Sequence, residues 1–519
     1  MITRIVTPLR QMDSHQRIIF LIILISLIIQ STYLYHIASQ ELFLPDDAYY
    51  YFLLGRNISE GMGPKIDSFN DTTGFQPLWG AVCTLAFTLI PNETLAVLSL
   101  LIVSLMAELL TVWILYKWMS DLEFPKAAIT LMTCSWIFSS LTMLNSLNGM
   151  ETGLGVLLVM AVYYSLRSNN AWVTGLLCGV AILTRIDTLI LAMSIAAVWL
   201  YQKQFRQIII FCSCIFFSMV PWILFVLSIG KSPLPESGRA VWLITLIGNG
   251  VPYSSLGESI WKNPFFHLEQ FVSFLNFIGW NTIALYPFSL FPNLSAILVC
   301  LFIIVIAIHW GQKTDVRIFL LHIAGLIVGY SLFVGGDWFH FRYTTSPGLL
   351  FSAIIMGLLY QRINNKRLVR TYVVFVSAGL MILNILFNPI INRFHNLGLS
   401  LVARVDGFHE SATWMNENLP STSIVGAFQS GAIGYYGSFP IVNLDGKVNN
   451  PAYLALKNKD MWNYLCRNDI DYVADWQTII DDFLINRSLQ WKDDNLMLIK
   501  QISDVSIYAV NHANCKHLE

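Results

Sequence analysis

The stretch "LPDDAYYYFLLGRN" (44–57) sets two carboxylates, Asp46 and Asp47, side by side directly after an apolar run. Pro45 suits the first turn of a helix, and acidic residues favour a helix N-terminus. Capping needs only one acid, so the second is left for other chemistry. A carboxylate held at a membrane surface can take the proton of a hydroxyl nucleophile as general base. Two adjacent carboxylates can also hold a divalent cation, which leaves a metal at this pair open. Tyr50 and Arg56 follow on the same segment.

Other ionisable residues interrupt apolar sequence. "LNGMETGL" carries Glu151, and "AILTRIDTLIL" carries Arg185 and Asp187 inside a long apolar stretch. Intramembrane charges are costly and normally face a cavity or one another. Arg185 and Asp187 therefore either neutralise each other or Glu151, or Arg185 meets an anionic substrate group at a break between two half-helices. "GGDWFHFRYTTSP" (335–347) gathers His340, Arg342 and Tyr343, and the planar fork of Arg342 fits a phosphate. "GKSPLPESGRAVW" (230–242) adds Lys231 and Arg239. There is no metal-binding motif, P-loop, dinucleotide fingerprint or serine elbow.

The elements that must position these residues are membrane helices. The chain has 519 residues, 55% hydrophobic and 12% charged, about half the charge of an ordinary soluble domain. A formal net charge of −1 speaks against nucleic acid as a partner. Apolar segments recur from Ile18 to about Ile391 and predict a polytopic bundle of about 11–13 membrane helices, several too short to cross alone. Basic runs at 201–207, 311–317 and 361–370 belong in the cytoplasm, as does the N-terminus. Residues 39–76, 230–270, 335–347 and everything after 391 then lie outside. An odd number of crossings must fall between 77 and 117, where two apolar segments stand, so 77–91 is expected not to cross fully.

Residues 392–519 change character. "IVGAF", "FPIVNLD", "YVADW", "LMLIKQI" and "SIYAV" read as strands, with helices in "DGFHESATWMNENLP" and "NKDMWNYLCRN". The expectation is a membrane domain over 1–391, with an outer loop at 39–76, and a small extracytoplasmic α/β domain over 392–519. Cys466 and Cys515, alone among the eight cysteines in falling in a polar region, can pair if that region faces an oxidising compartment.

Taken together, "PDDAYYYFLLGRNISEGMGPKIDSFNDTTGFQPLW", "NGMETGL", "LTRIDTLIL", "GKSPLPESG", "FRYTTSP" and "GAIGYYGSFPIVNLDGKVN" resemble the polytopic glycosyltransferases of the GT-C fold, near the bacterial arabinofuranosyltransferase-like proteins. The sequence departs from that pattern at Glu236, where Asn is common, at Val241, where Lys is common, and in lacking Arg-Pro-Glu within "LTRIDTL". The resemblance implies transfer of a sugar from a polyprenyl-phosphate donor to an extracytoplasmic glycan, lipid or protein acceptor, by a bacterial cell-membrane protein. It puts the catalytic aspartate on the 46–47 pair, with Asp46 as base and Asp47 orienting the acceptor or a cation, or the reverse. Inverting displacement needs one such carboxylate. Arg185, Arg342 or Arg56 would stabilise the leaving lipid phosphate, with Tyr50, Glu151, Asp187, His340 and Tyr343 as further substrate-binding residues. A transporter or flippase of lipid-linked glycans is the rival reading, since it too would use broken helices and intramembrane charges.

Overall fold

The computed structural model describes residues 12–38, 44–248, 256–282, 293–334, 341–362, 379, 406–486 and 495–517. The helical part runs α1 (Ser14–Ala38), α2 (Asp46–Ser59), α3 (Pro77–Leu89), α4 (Glu93–Asp121), α5 (Lys126–Ile137), α6 (Ser140–Ser146), α7 (Thr152–Ser165), α8 (Ala171–Thr184), α9 (Leu189–Tyr201) and α10 (Phe205–Ser228). It continues with α11 (Glu236–Gly248), α12 (Leu256–Lys262), α13 (Pro264–Asn281), α14 (Leu294–Trp310), α15 (Thr314–Phe333) and α16 (Phe341–Arg362). Among the described residues, α1, α4, α10 and α15 are each long and apolar enough to cross a membrane, and several shorter apolar helices accompany them. The chain is an integral membrane protein built as an all-α polytopic bundle. The last of the apolar sequence, 363–391, lies outside the described residues apart from residue 379.

Contacts between chain turns sort the bundle into two ends. At one, the His15 ring meets the Lys126 carbonyl (3.2 Å), Arg167 donates to Asp121 O and to Asp315 (both 3.3 Å), and Gln202 donates to Thr314 (2.8 Å). This end carries Arg17, Lys126, Arg167, Lys203, Lys313 and Arg317. Helix α8 runs parallel to α10, because Gly175 packs on Phe211 and Gly179 on Ile215 and Ser218. The connection from α8 to α9 at residues 185–188 is therefore at the opposite end.

Helix α3 explains the crossing count. Thirteen residues span about 20 Å, short of the roughly 30 Å apolar core. It lies along α2, where Gly55 is so close to Cys83 that a Cβ would come within 2.9 Å of the Cys83 backbone. Its exit leads to Glu93, which pairs with Arg56 of α2 at 3.3 Å. Both ends of α3 thus stay beside α2, and α4 is long and apolar enough to cross.

The C-terminal part comprises α17 (Asp406–Asn418), β1 (Val425–Ala427), α18 (Ser430–Tyr436), β2 (Ile441–Asn443), α19 (Asn450–Asn458), α20 (Met461–Arg467), β3 (Tyr472–Trp476), β4 (Leu496–Ile502) and β5 (Val505–Val510). The strands form one sheet in the order β2-β1-β3-β5-β4. β1 is parallel to β2 and β3, with Val425 opposite Ile441 and Tyr472, whereas β5 is antiparallel to β3 and β4. A Cys466–Cys515 disulfide ties α20 to the C-terminal segment. Ala240, Leu243 and Ile244 of α11 enter the same apolar cluster as Val442, Tyr453 and Leu456, so the bundle and the small α/β domain share a packed seam.

Candidate active site

Helix α2 starts at Asp46, and its geometry separates the two acids. Successive residues on an α-helix point about 100° apart, while i and i+4 share a face. Asp46, Tyr49, Tyr50 and Leu53 face the C-terminal domain, and Asp47 faces the bundle. Asp46 is buried, 6% exposed, and accepts the N–H groups of Ala432 (2.7 Å) and Gly431 (3.3 Å) at the start of α18. Burial raises its pKa to about 7, opposed by the Ala432 N–H and reinforced by the charge of Asp47. Each Asp46 carboxylate oxygen thus accepts one backbone N–H of the C-terminal domain.

Tyr50 belongs to the same seam. Its hydroxyl donates to the Phe428 carbonyl (3.2 Å) and accepts from the Ser430 N–H (3.3 Å) and the Asn443 amide (3.2 Å). Arg56 lies ten residues beyond Asp46, about 15 Å along the axis. It pairs with Glu93 and stacks on Tyr435, away from the acids. Neither Tyr50 nor Arg56 joins the site that forms around Asp47.

That site is built on α2, the start of α7, the α8–α9 break, α15 and α16. Asp47, 27% exposed in its side chain, is 2.6 Å from Arg342 at the start of α16. Arg342 also donates to Tyr343 Oη (3.1 Å), touches Met150 Sδ, and keeps a buried Nε–H without an acceptor among the described residues. Arg342 and Tyr343 line a small cavity with Arg185, Asp187, Thr152 and His322. Arg185 sits at the break between α8 and α9 with an extended backbone (φ −152°, ψ 119°). It makes ion pairs of 2.8 Å with Glu151 and 2.9 Å with Asp187, and donates to Tyr330 Oη at 3.1 Å. Arg185 stands at a helix break, and two carboxylates neutralise it. His340 lies outside the described residues.

The loop before α7 reaches this site by a tight turn. Gly149 takes φ +76°, and a Cβ there would lie 2.9 Å from that of Ala48. Trp79 of α3 donates to its carbonyl (3.1 Å), which holds Met150 and Glu151 beside α2. Glu236, a departure from the GT-C pattern, accepts from Thr72 Oγ1 (3.1 Å) and pairs with Lys231 (3.2 Å), so it fastens the outer loop to α11. Tyr330, His322 and Lys447 were not singled out in the sequence. Tyr330 and His322 lie in apolar runs with nothing local to mark them, whereas Lys447 falls within "GAIGYYGSFPIVNLDGKVN". Among the described residues no group of three or more His, Cys, Asp or Glu side chains comes together to hold a metal ion.

Residues 400–510 match the model of a domain of unknown function, DUF8728. No curated protein matches the chain. Two crystal structures of ArnT from Cupriavidus metallidurans are similar over nearly the whole chain. The apo form shows 12% identity, covers 91% of this chain and 94% of that one, and gives a TM-score of 0.50. The form bound to undecaprenyl phosphate shows 11% identity, covers 94% and 97%, and gives 0.54. The mycobacterial arabinofuranosyltransferase AftD, a R1389S mutant, shows 13% identity over 83% of this chain and 36% of that one, at a TM-score of 0.38, too slight a likeness to build on. The chain has the GT-C fold of polytopic membrane glycosyltransferases.

Proposed function

We propose that this protein transfers a sugar from a polyprenyl-phosphate donor to a hydroxyl of an extracytoplasmic glycan, lipid or protein, by a single inverting displacement. The reading rests above all on one observation: the Asp47 carboxylate lies 2.6 Å from Arg342, whose guanidinium lines the cavity. The acceptor oxygen attacks the anomeric carbon as the bond from that carbon to the phosphate oxygen breaks. Asp47 takes the acceptor proton, and the lipid phosphate leaves with the electron pair, its charge facing Arg342. A protein of this fold with undecaprenyl phosphate bound supports a lipid-phosphate ligand. Asp46 and Tyr50 hold the helix in place, and Arg185 with Glu151 and Asp187 holds the cavity wall.

The Asp47 end faces away from the cytoplasm in this reading. The opposite end carries Arg17, Lys126, Arg167, Lys203 and Lys313, as cytoplasmic ends do. A disulfide in the attached domain fits an oxidising compartment.

The test is turnover of radiolabelled undecaprenyl-phosphate sugars by the purified protein with membrane extract as acceptor source. Asp47→Asn is expected to lower the rate by at least about a hundredfold. Undiminished transfer by that variant would remove Asp47 from the mechanism. Absence of transfer by the native protein with any such donor, alongside movement of the lipid across proteoliposomes, would favour the flippase.

A further inference from the structure

The loop after β2 brings a second cation to the site from the other domain. Asn443, at the end of β2, donates its amide to Tyr50 Oη, which anchors the strand to α2. Gly446 then turns the chain with φ +79° against Tyr453, where a Cβ would sit 2.6 Å from the Tyr453 Cα. Lys447 follows, and its carbonyl is so close to Gly74 of the outer loop that a Cβ at Gly74 would lie 2.2 Å away. The Lys447 side chain is buried and pairs with Asp445 at 3.0 Å. Burial alone would lower its pKa, but the charges of Asp445, then Asp47, override this and keep the ammonium protonated, with Tyr343 also in electrostatic reach. Two residues beyond Gly74, the Gln76 side chain accepts the Ile186 N–H at 3.3 Å, so the outer loop against which Lys447 packs reaches the Arg185 break that borders the cavity.

The charges there divide unevenly. Arg185 is held by two carboxylates, so little of its charge is left for a ligand. Arg342 has Asp47 at ion-pair distance, and Lys447 has Asp445. A phosphate diester that brings its own negative charge to this group is attracted by both cations, whereas the two carboxylates on Arg185 oppose its approach there.

We infer that Lys447, carried by the C-terminal domain, binds the lipid phosphate together with Arg342, so that the membrane domain alone has an incomplete site. This rests on the glycosyltransferase reading of the same cavity. The phosphate takes up the two cations and leaves Asp47 to act as base, coupling donor arrival to base release. It also gives the seam built by Asp46 and Tyr50 a purpose, since any loosening there withdraws the ammonium.

Binding of undecaprenyl phosphate to the full-length protein in detergent tests this, with undecaprenol, the uncharged lipid, as the comparison. Lys447→Met should weaken undecaprenyl phosphate binding about tenfold and leave undecaprenol binding unchanged, and Lys447→Arg should restore most of the loss. Equal weakening of both lipids would mean a merely structural role and overturn the proposal, as would unchanged phosphate binding. If Lys447→Met does not fold, Lys447→Gln read against Lys447→Arg gives the same contrast. Should the native protein prefer neither lipid, the glycosyltransferase reading falls first. A native preference that Lys447→Met preserves sinks this inference alone.

Discussion

Asp46 and Asp47 are neighbours in the chain, yet Asp46 accepts the Ala432 N–H at 2.7 Å while Asp47 reaches Arg342 at 2.6 Å. One acid joins two domains and the other faces the bundle. The 100° step of the helix is enough to produce this division.

Domain docking should therefore depend on small size at Gly431 and on the Asp46 oxygens. A Cβ at residue 431 would stand 2.3 Å from the Asp46 carbonyl oxygen. Overpacking of this kind costs about 1–3 kcal/mol. Gly431→Ala should make the C-terminal domain more sensitive to limited proteolysis in detergent and lower its melting temperature. Asp46→Ala, which strips the acceptor from two N–H groups, should act in the same direction. Native-like protease resistance in both variants would show that the seam does not hold the domain.

Stability should also fall with rising pH at this seam. Burial raises Asp46 from an ordinary carboxylate value to about 7, and burial, countered by the Gln429 and Trp476 N–H groups, raises Asp475 to about 8. A raised pKa means that the folded state prefers the protonated form. The contribution is full below about pH 4 and is lost as pH climbs through 7 to 8. The charges of Asp47 and Lys447 act on Asp46 in opposite directions, and Asp46 in turn helps to raise Asp475, so the two buried acids lose their contribution together. Asp46→Asn cannot ionise, so its melting temperature relative to the native protein should rise between pH 4 and pH 8 and level off above. A difference independent of pH would refute the assignment.

Much of this arrangement could be read from sequence, and the rest had physical reasons to stay hidden. The strands at 425–427, 441–443, 472–476, 496–502 and 505–510 all fall within or against the segments expected from β-branched and aromatic runs. The break at Arg185 was visible as charge inside apolar sequence. Helix α18 was not, because "SGAIGYY" has two glycines and only seven residues, and its start is fixed by Asp46, 385 positions or so away. The fates of Asp46 and Asp47 were equally hidden, since nothing local says which face meets which domain. Lys447 sat in a recognised motif, but its relevance depends on that docking.

Arg185 and Arg342 should respond differently to loss of charge. Removing one partner of a buried ion pair costs about 3–5 kcal/mol, because the other charge stays behind. Arg185→Met would leave Glu151 and Asp187, both close to it and poorly exposed, without their cation. A lower yield and an early melt are expected, recovered in large part by adding Glu151→Gln and Asp187→Asn. Arg342→Met leaves only Asp47, which retains contact with solvent, so its stability loss should be smaller and its loss of phosphate binding larger. Similar melts for the two single variants would contradict this separation of wall from ligand site.

The disulfide gives the last prediction. Cys466 and Cys515 are separated by 49 positions, and closing such a loop restricts the unfolded chain by about 4 kcal/mol in the chain-entropy account. The bond joins α20 to the segment after β5, so it staples the part of the domain farthest in sequence from the Asp46 seam. Replacing both cysteines with alanine should lower the melting temperature of the C-terminal domain while leaving the bundle's own transition in place. The native protein treated with reductant should behave like the double variant. Expressed in a host unable to oxidise exported thiols, the native chain should titrate two more accessible thiols once unfolded than it does from a normal host. Equal thiol counts from the two hosts would mean that the bond does not form in the cell, and would take away one of the two supports for placing this domain outside the cytoplasm.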